Sequence, residues 1–312
     1  MLPRPVPVRL LASLAVAATL IATPGFAQDE PLPVPKGVVA HRDLAYVPDG
    51  HERQKLDLYL PEGAEQNAEP LPVVVWIHGG GWSGGSKRGC PPLNPRFIQN
   101  GYAVASVGYR LTDAAPFPAQ IEDCRAAIRY LRAHAKEYNL NPDRIGVWGS
   151  SAGGHLVALL GTSGDETAFD VGKNKDVSAR VQAVCDYYGP ADFPAFAESD
   201  GYERVALRPG SPVYKLLGGP VMEKAELARR ASPVTFASAD DPPFFIVHGT
   251  EDPVVPADQS VRLHAALQKA GVDSTLKLIE GGAHGGKEFH SGETLGEVVA
   301  FFDKHLKSPS AK

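Results

Sequence analysis

The sequence predicts an α/β fold built on one mostly parallel, eight-stranded sheet with helices on both faces. Short β-branched apolar runs recur along the chain, and longer helical stretches separate them. One run, Val73-Val74-Val75-Trp76-Ile77, shows no polar alternation at all. Unbroken apolarity marks a strand covered on both faces, and strands alternating with helices give a parallel sheet.

The elements follow in order. Residues 28–40 carry Pro31, Pro33 and Pro35 and suit an extended linker. Residues 41–47 and 55–60 read as an opening antiparallel hairpin, the second with Leu56, Leu58 and Leu60 in alternation. Strands at 73–77, 102–107, 144–148, 181–187, 244–247 and 275–279 complete the sheet. Residues 119–138 place Ile121, Cys124, Ile128, Leu131 and Ala135 three and four apart, the spacing of a helix with one buried face. Residues 151–160 begin a helix after a Gly-bounded turn, and 257–270 end at Gly271, a favourable C-cap. Residues 162–179 and 193–239 are rich in Gly, Pro and charge and weakly periodic; the longer is read as a small lid insertion over the site. One domain, residues 41–308, accounts for all of it.

The chain has 312 residues, 43% hydrophobic and 21% charged, enough apolar surface for a sizeable core. A formal net charge of −5 and a pI near 6.1 give no support for nucleic acid or an anionic membrane surface as partner. Residues 1–27 read as a removable signal. Arg4 and Arg9 supply the positive start, residues 10–22 the apolar run, and Gly25-Phe26-Ala27 the small residues of a cleavage site. The apolar run is shorter than the roughly 20 residues of a bilayer span. Export to the periplasm or medium is therefore expected, with no stable membrane anchor. Cleavage would take the formal charge from −5 to −7.

An oxidising compartment permits disulfides, but Cys90, Cys124 and Cys185 are odd in number. Their spacing fits no zinc site, and no metal or organic cofactor is expected. Which two would pair stays open, as does oligomeric state.

Three short stretches carry chemistry. Gly149-Ser150-Ser151-Ala152-Gly153 matches G-x-S-x-G, which is weak alone but here follows a strand and opens a helix. That turn leaves room only for small neighbours and exposes the serine oxygen at a helix N-terminus, so Ser151 is the candidate nucleophile and Ser150 the weaker one. His78-Gly79-Gly80-Gly81-Trp82 follows a buried strand; side-chain-free residues let backbone N–H groups converge on an oxyanion. His78 comes too early in the chain to be the base and is read as structural. Asp252, after the strand at 244–247, and His284, after the strand at 275–279, complete the order Ser, Asp, His. Glu251 is the rival acid, and His248 and His290 are rival bases. His155, one turn past Ser151, reads as a core histidine.

Together with Gly108-Tyr109-Arg110-Leu111 and residues 117–123, these motifs resemble the hormone-sensitive-lipase-like esterases of the α/β-hydrolase fold. The resemblance is strongest to the bacterial acetyl-xylan and feruloyl esterase-like (BD-FAE-type) branch and extends over residues 40–306. It implies oxyanion donors at Gly80, Gly81 and Ala152, and ester hydrolysis through an acyl-enzyme on short-chain or plant-polysaccharide-linked esters. Ser150 departs from the acid that many lipase-like members carry before the nucleophile, which favours the bacterial branch. Trp82, Tyr187, Tyr188 and Phe193 are candidate pocket aromatics, Trp82 and Tyr188 foremost, although core packing explains such residues equally well. Amide, peptide or aryl-formamide cleavage on the same fold, and a non-catalytic binding protein on this scaffold, are the alternatives.

Overall fold

The computed structural model describes residues 33–66 and 68–307. The expected signal segment at 1–27 and the start of the linker lie outside the described residues. Eight strands form one sheet: β1 (Val38–Ala45), β2 (Lys55–Pro61), β3 (Leu71–Ile77), β4 (Ala103–Val107), β5 (Leu140–Ser150), β6 (Ala183–Tyr187), β7 (Phe244–Gly249) and β8 (Ser274–Ile279). Their spatial order is β1-β2-β4-β3-β5-β6-β7-β8. β1 and β2 are antiparallel to their neighbours, and every pair from β4 to β8 is parallel.

That order decides where a site can form. From β3 the chain winds first toward β4 and then, after β5, toward β8. Strands β3 and β5 lie side by side, with Ile77 opposite Gly149, so the segments leaving them diverge at a switch point. The glycine-rich stretch and Ser151 both start there.

The helices are α1 (Pro95–Gln99), α2 (Ala119–Ala133), α3 (Ala152–Thr162), α4 (Phe193–Ala197), α5 (Glu203–Ala206), α6 (Pro212–Leu217), α7 (Ala225–Ala231), α8 (Asp258–Ala270), α9 (Lys287–His290) and α10 (Gly292–Leu306). Alternate residues of β3 explain its unbroken apolarity. Val73, Val75 and Ile77 pack in the core with Ile128 of α2 and Leu156 of α3, whereas Val74 and Trp76 pack with Phe97 of α1 and Phe302 of α10. Cys124 lies in the first core, Cys90 and Cys185 in the second; all three are buried and free.

Several boundaries differ from the sequence reading. β1 begins at Val38, inside the stretch read as linker, because it pairs with β2 as far as Pro61. α2 stops at Ala133, where His134 caps it and its ring Nδ1 reaches the Tyr130 carbonyl at 2.8 Å. α10 has no counterpart in the sequence reading, yet Leu295, Val298, Phe302 and Leu306 bury one helical face. The weakly periodic stretch after α3 is anchored by charge. Asp170 accepts from the buried Arg125 at 2.8 Å and pairs with the buried Arg129, while Arg125 also donates to the Ser163 carbonyl.

Residues 193–239 form four short helices, α4 to α7, rather than a long structureless loop. Phe193, Phe196, Val213, Leu216 and Ala231 are buried, so the insertion carries its own share of core. No described helix is long and apolar enough to cross a membrane.

Candidate active site

Ser151 sits between β5 and α3 with φ 56° and ψ −120°, a backbone conformation that costs an L-residue about 1–3 kcal/mol. The turn is held from both sides. The Ser151 N–H donates to the Tyr187 carbonyl at 2.8 Å, and its carbonyl accepts from the His155 N–H at 2.9 Å. Gly153 must be glycine here, because a Cβ would collide with the Ile77 carbonyl at the end of β3. Small residues thus let the serine turn press against the neighbouring strand.

The structure brings Ser151, His284 and Asp252 into one hydrogen-bonded row. The Ser151 hydroxyl lies 2.8 Å from His284 Nε2, and His284 Nδ1 lies 2.6 Å from Asp252 Oδ2. An ionised carboxylate only accepts, so Nδ1 carries the proton and Nε2 accepts from the serine. Asp252 is buried, and its other oxygen takes the N–H groups of Val254 at 2.8 Å and Val255 at 3.0 Å. Burial pushes the carboxyl up, but the hydrogen bonds from His248 and His284 outweigh it and hold Asp252 well below the usual carboxylate range. Glu251 is exposed, and His290 lies against the rings of Trp148 and Tyr187.

The glycine-rich stretch leaves β3 beside this row. Gly80 has φ 112°, open to glycine alone, and a Cβ there would meet the Gly84 carbonyl. Neither Gly80 nor Gly81 donates its N–H to another described residue. Ala152 is the first residue of α3, where an N–H has no partner within its own helix. His78 is buried and stacks on Tyr109 at 4.3 Å, and its Nδ1 lies 2.7 Å from the Gly79 carbonyl. Burial lowers its pKa to about 4, so it stays neutral and holds the loop.

A cavity of about 480 Å³ opens over Ser151 and His284. Phe196, Val205 and Pro212 of the insertion, Pro190, and Val254 and Val255 beyond Asp252 form its apolar walls. Ser83, Ser150 and Tyr188 add hydroxyl-bearing side chains, and His284 is the one ionisable imidazole in the lining. Weak periodicity in the sequence carries no signal for which side chains of the insertion, or of residues 254 and 255, face a cavity.

Two aromatic expectations need correction. Tyr187 and Phe193 are fully buried and lie outside the cavity; the Tyr187 hydroxyl donates to the Phe289 carbonyl at 2.7 Å. Trp82 borders the cavity but is only 2% exposed, and its indole N–H is committed to His155 at 3.1 Å. His155 completes its bonds at the Ala231 carbonyl, 2.7 Å away. Tyr188 does line the cavity, its ring 4.7 Å from that of His284. Among the described residues, no cluster of His, Cys, Asp and Glu could hold a metal ion.

The BD-FAE family model matches residues 56–267, a stretch that holds Ser151 and Asp252 and ends before His284. Esterase LipQ of Mycobacterium tuberculosis is 32% identical over 231 residues, covering 73% of this chain and 53% of that protein. The chain spans about half the length of the curated relatives it matches. A truncated carbohydrate esterase from gut microbiota superposes with TM-score 0.77 and 28% identity, covering 89% of this chain and all of that one. An acetyl ester-xyloside bifunctional hydrolase from Caldicellulosiruptor lactoaceticus gives TM-score 0.62 and 27% identity, covering 81% of this chain and 84% of that one.

Proposed function

The chain belongs to the BD-FAE family of α/β-hydrolase-fold esterases, and from that footing we propose that it is a serine carboxylic-ester hydrolase. The observation that carries the reading is the unbroken row Asp252–His284–Ser151 opening into an apolar cavity beside three N–H groups that have no partner among the described residues. His284 Nε2 takes the Ser151 proton as the serine oxygen adds to the ester carbonyl carbon. Gly80, Gly81 and Ala152 receive the oxyanion on their N–H groups. Asp252 fixes the tautomer and stabilises the imidazolium. That imidazolium returns the proton to the leaving alcohol, and an acyl-enzyme remains. Water, deprotonated by His284, then releases the acid and frees Ser151.

Short-chain acyl esters, or acetyl and feruloyl esters on plant polysaccharide, are the proposed substrates. The apolar walls, with no Asp, Glu, Lys or Arg among the described lining residues, favour an uncharged ester. The similarity to proteins named as a carbohydrate esterase and an acetyl ester-xyloside hydrolase supports the same choice. Residues 1–27 support export as the accompanying proposal.

Hydrolysis of p-nitrophenyl esters of graded acyl length, wild type beside Ser151→Ala, tests the reading. Activity peaking at acetate to butyrate and vanishing in the variant is expected, and it leads on to acetylated xylan and ferulate esters. Wild type that is folded yet inactive on every ester, but active on formamides or dipeptides, would replace the ester reading with the amidase one.

A further inference from the structure

His248 is the penultimate residue of β7 and takes no part in the steps above, yet it lies against the acid. It is fully buried, with Nε2 3.0 Å from the Val255 carbonyl oxygen and 3.2 Å from Asp252 Oδ2. Both of those atoms only accept, so Nε2 carries the proton. Nδ1 lies 2.7 Å from the Ser260 hydroxyl of α8, from which it accepts when His248 is neutral. We propose that His248 is a positioning residue whose Nε2–H shares Asp252 Oδ2 with His284, so that one carboxylate oxygen serves two imidazoles. This rests on the reading of Ser151, His284 and Asp252 as a catalytic triad.

The consequence follows from how the carboxylate is held. Val254 and Val255 occupy Oδ1, while His284 and His248 face Oδ2. With donors around both oxygens the carboxylate cannot swing away from His284, which fixes the direction of the Nδ1 bond. The share of negative charge drawn toward His248 is withheld from His284, so the His284 imidazolium gains less from Asp252 than it would alone. His248 therefore keeps the base in place and limits its basicity. The other groups facing His248 are Asp186 of β6, which acts on it electrostatically, the Tyr188 ring at 6.3 Å, and the neutral Ser260 of α8. Asp186 is itself buried, with one oxygen on the Gly189 N–H and the other without a partner among the described residues.

The test compares His248→Phe, which keeps the ring but removes both nitrogens, with His248→Gln, whose amide reaches the Nε2 position. Profiles of kcat and KM against pH on p-nitrophenyl acetate are read for both and for wild type. In His248→Phe, kcat is expected to fall about ten- to a hundred-fold with KM unchanged. The acid limb of kcat/KM is expected to move up by as much as about one pH unit, because Asp252 then gives its full charge to His284. Gln is expected to restore both quantities most of the way. A lowered kcat with an unmoved limb assigns His248 a packing role and overturns the proposal. So does a Phe variant indistinguishable from wild type, or a rise in KM alone.

Should His248→Phe not fold, nitrogen-15 NMR of the wild-type chain decides. A neutral His248 protonated at Nε2 across the acid limb supports the proposal, and a His248 protonated at Nδ1 overturns it. Ser151→Ala separates the two layers of argument. Activity retained there would remove the triad itself, whereas activity lost there with His248 variants like wild type removes only this inference.

Discussion

Trp82 donates its indole N–H to Nδ1 of His155 across 3.1 Å, tying the end of the glycine-rich loop to the helix that begins after Ser151. The backbone of residues 80 and 81 and the serine turn are thereby held at a fixed separation. In Trp82→Phe, His155 Nδ1 loses its partner in a fully buried place, which costs about 1–3 kcal/mol. Denaturant titration is expected to show that loss. Steady-state kinetics on p-nitrophenyl acetate are expected to show a kcat lowered about tenfold or more, because the loop can then shift against Ser151.

Ser151→Ala is expected to remove about a million-fold of kcat while thermal unfolding stays close to wild type. Alanine tolerates the positive φ no worse than serine, and the N–H bond to the Tyr187 carbonyl is unaffected. Circular dichroism alongside the ester assay checks that the loss is chemical.

Gly80→Ala tests the oxyanion proposal. A Cβ at φ 112° would press on the Gly84 carbonyl and displace the N–H. The expected fall in kcat is about a hundred- to a thousand-fold, the usual effect of losing one donor. KM for the ester should change far less, and a KM-dominated effect would mean the loop binds substrate without stabilising the transition state.

His155 predicts a pH dependence of stability. Burial lowers its pKa from the ordinary 6.5 to about 4. As pH falls from 6.5 toward 4, the unfolded chain takes up the proton and the native chain does not, so stability is lost across that window. The size is on the order of 3 kcal/mol. Asp186 and Asp241, each pushed up by burial to about 6, titrate in the opposite sense over an overlapping range. The measurement is therefore a difference. The unfolding free energy of wild type minus that of His155→Phe is expected to shrink as pH falls from 6.5 to 4, and a flat difference would refute the assignment.

Asp170→Asn leaves the buried Arg125 and Arg129 guanidinium groups without their shared carboxylate. Breaking a buried ion pair from one side costs about 3–5 kcal/mol. Urea unfolding should show a shift of that order, with proteolysis between α3 and β6 becoming faster in the native state.

Much of the site was legible in the sequence because its chemistry is local. A serine turn needs Gly149 and Gly153 at fixed offsets between a strand and a helix, and a loop of free N–H groups needs consecutive glycines after a buried strand. Such requirements leave marks a few residues long. The cavity walls left none. Phe196, Val205 and Pro212 lie on short helices whose burial depends on packing against one another and the body of the domain. The aromatic residues were readable as apolar, but not the direction of their rings: Phe193 and Tyr187 turned into the core, and Trp82 spent its polar edge on His155.

The sequence by itself determined the strand order along the chain, the strained turn at Ser151 and the succession of Ser151, Asp252 and His284. Each follows from period, small-residue spacing or position after a strand. Only the tertiary structure decided which neighbours those groups would have. Asp252 faces both His284 and His248 because the sheet sets β7 beside β8 and the chain after Asp252 folds back, bringing the Val255 carbonyl onto the His248 ring. The reason is physical: hydrogen bonds and burial act over a few ångströms, and residues 133 apart in sequence, Ser151 and His284, come within that range only once the strands are paired.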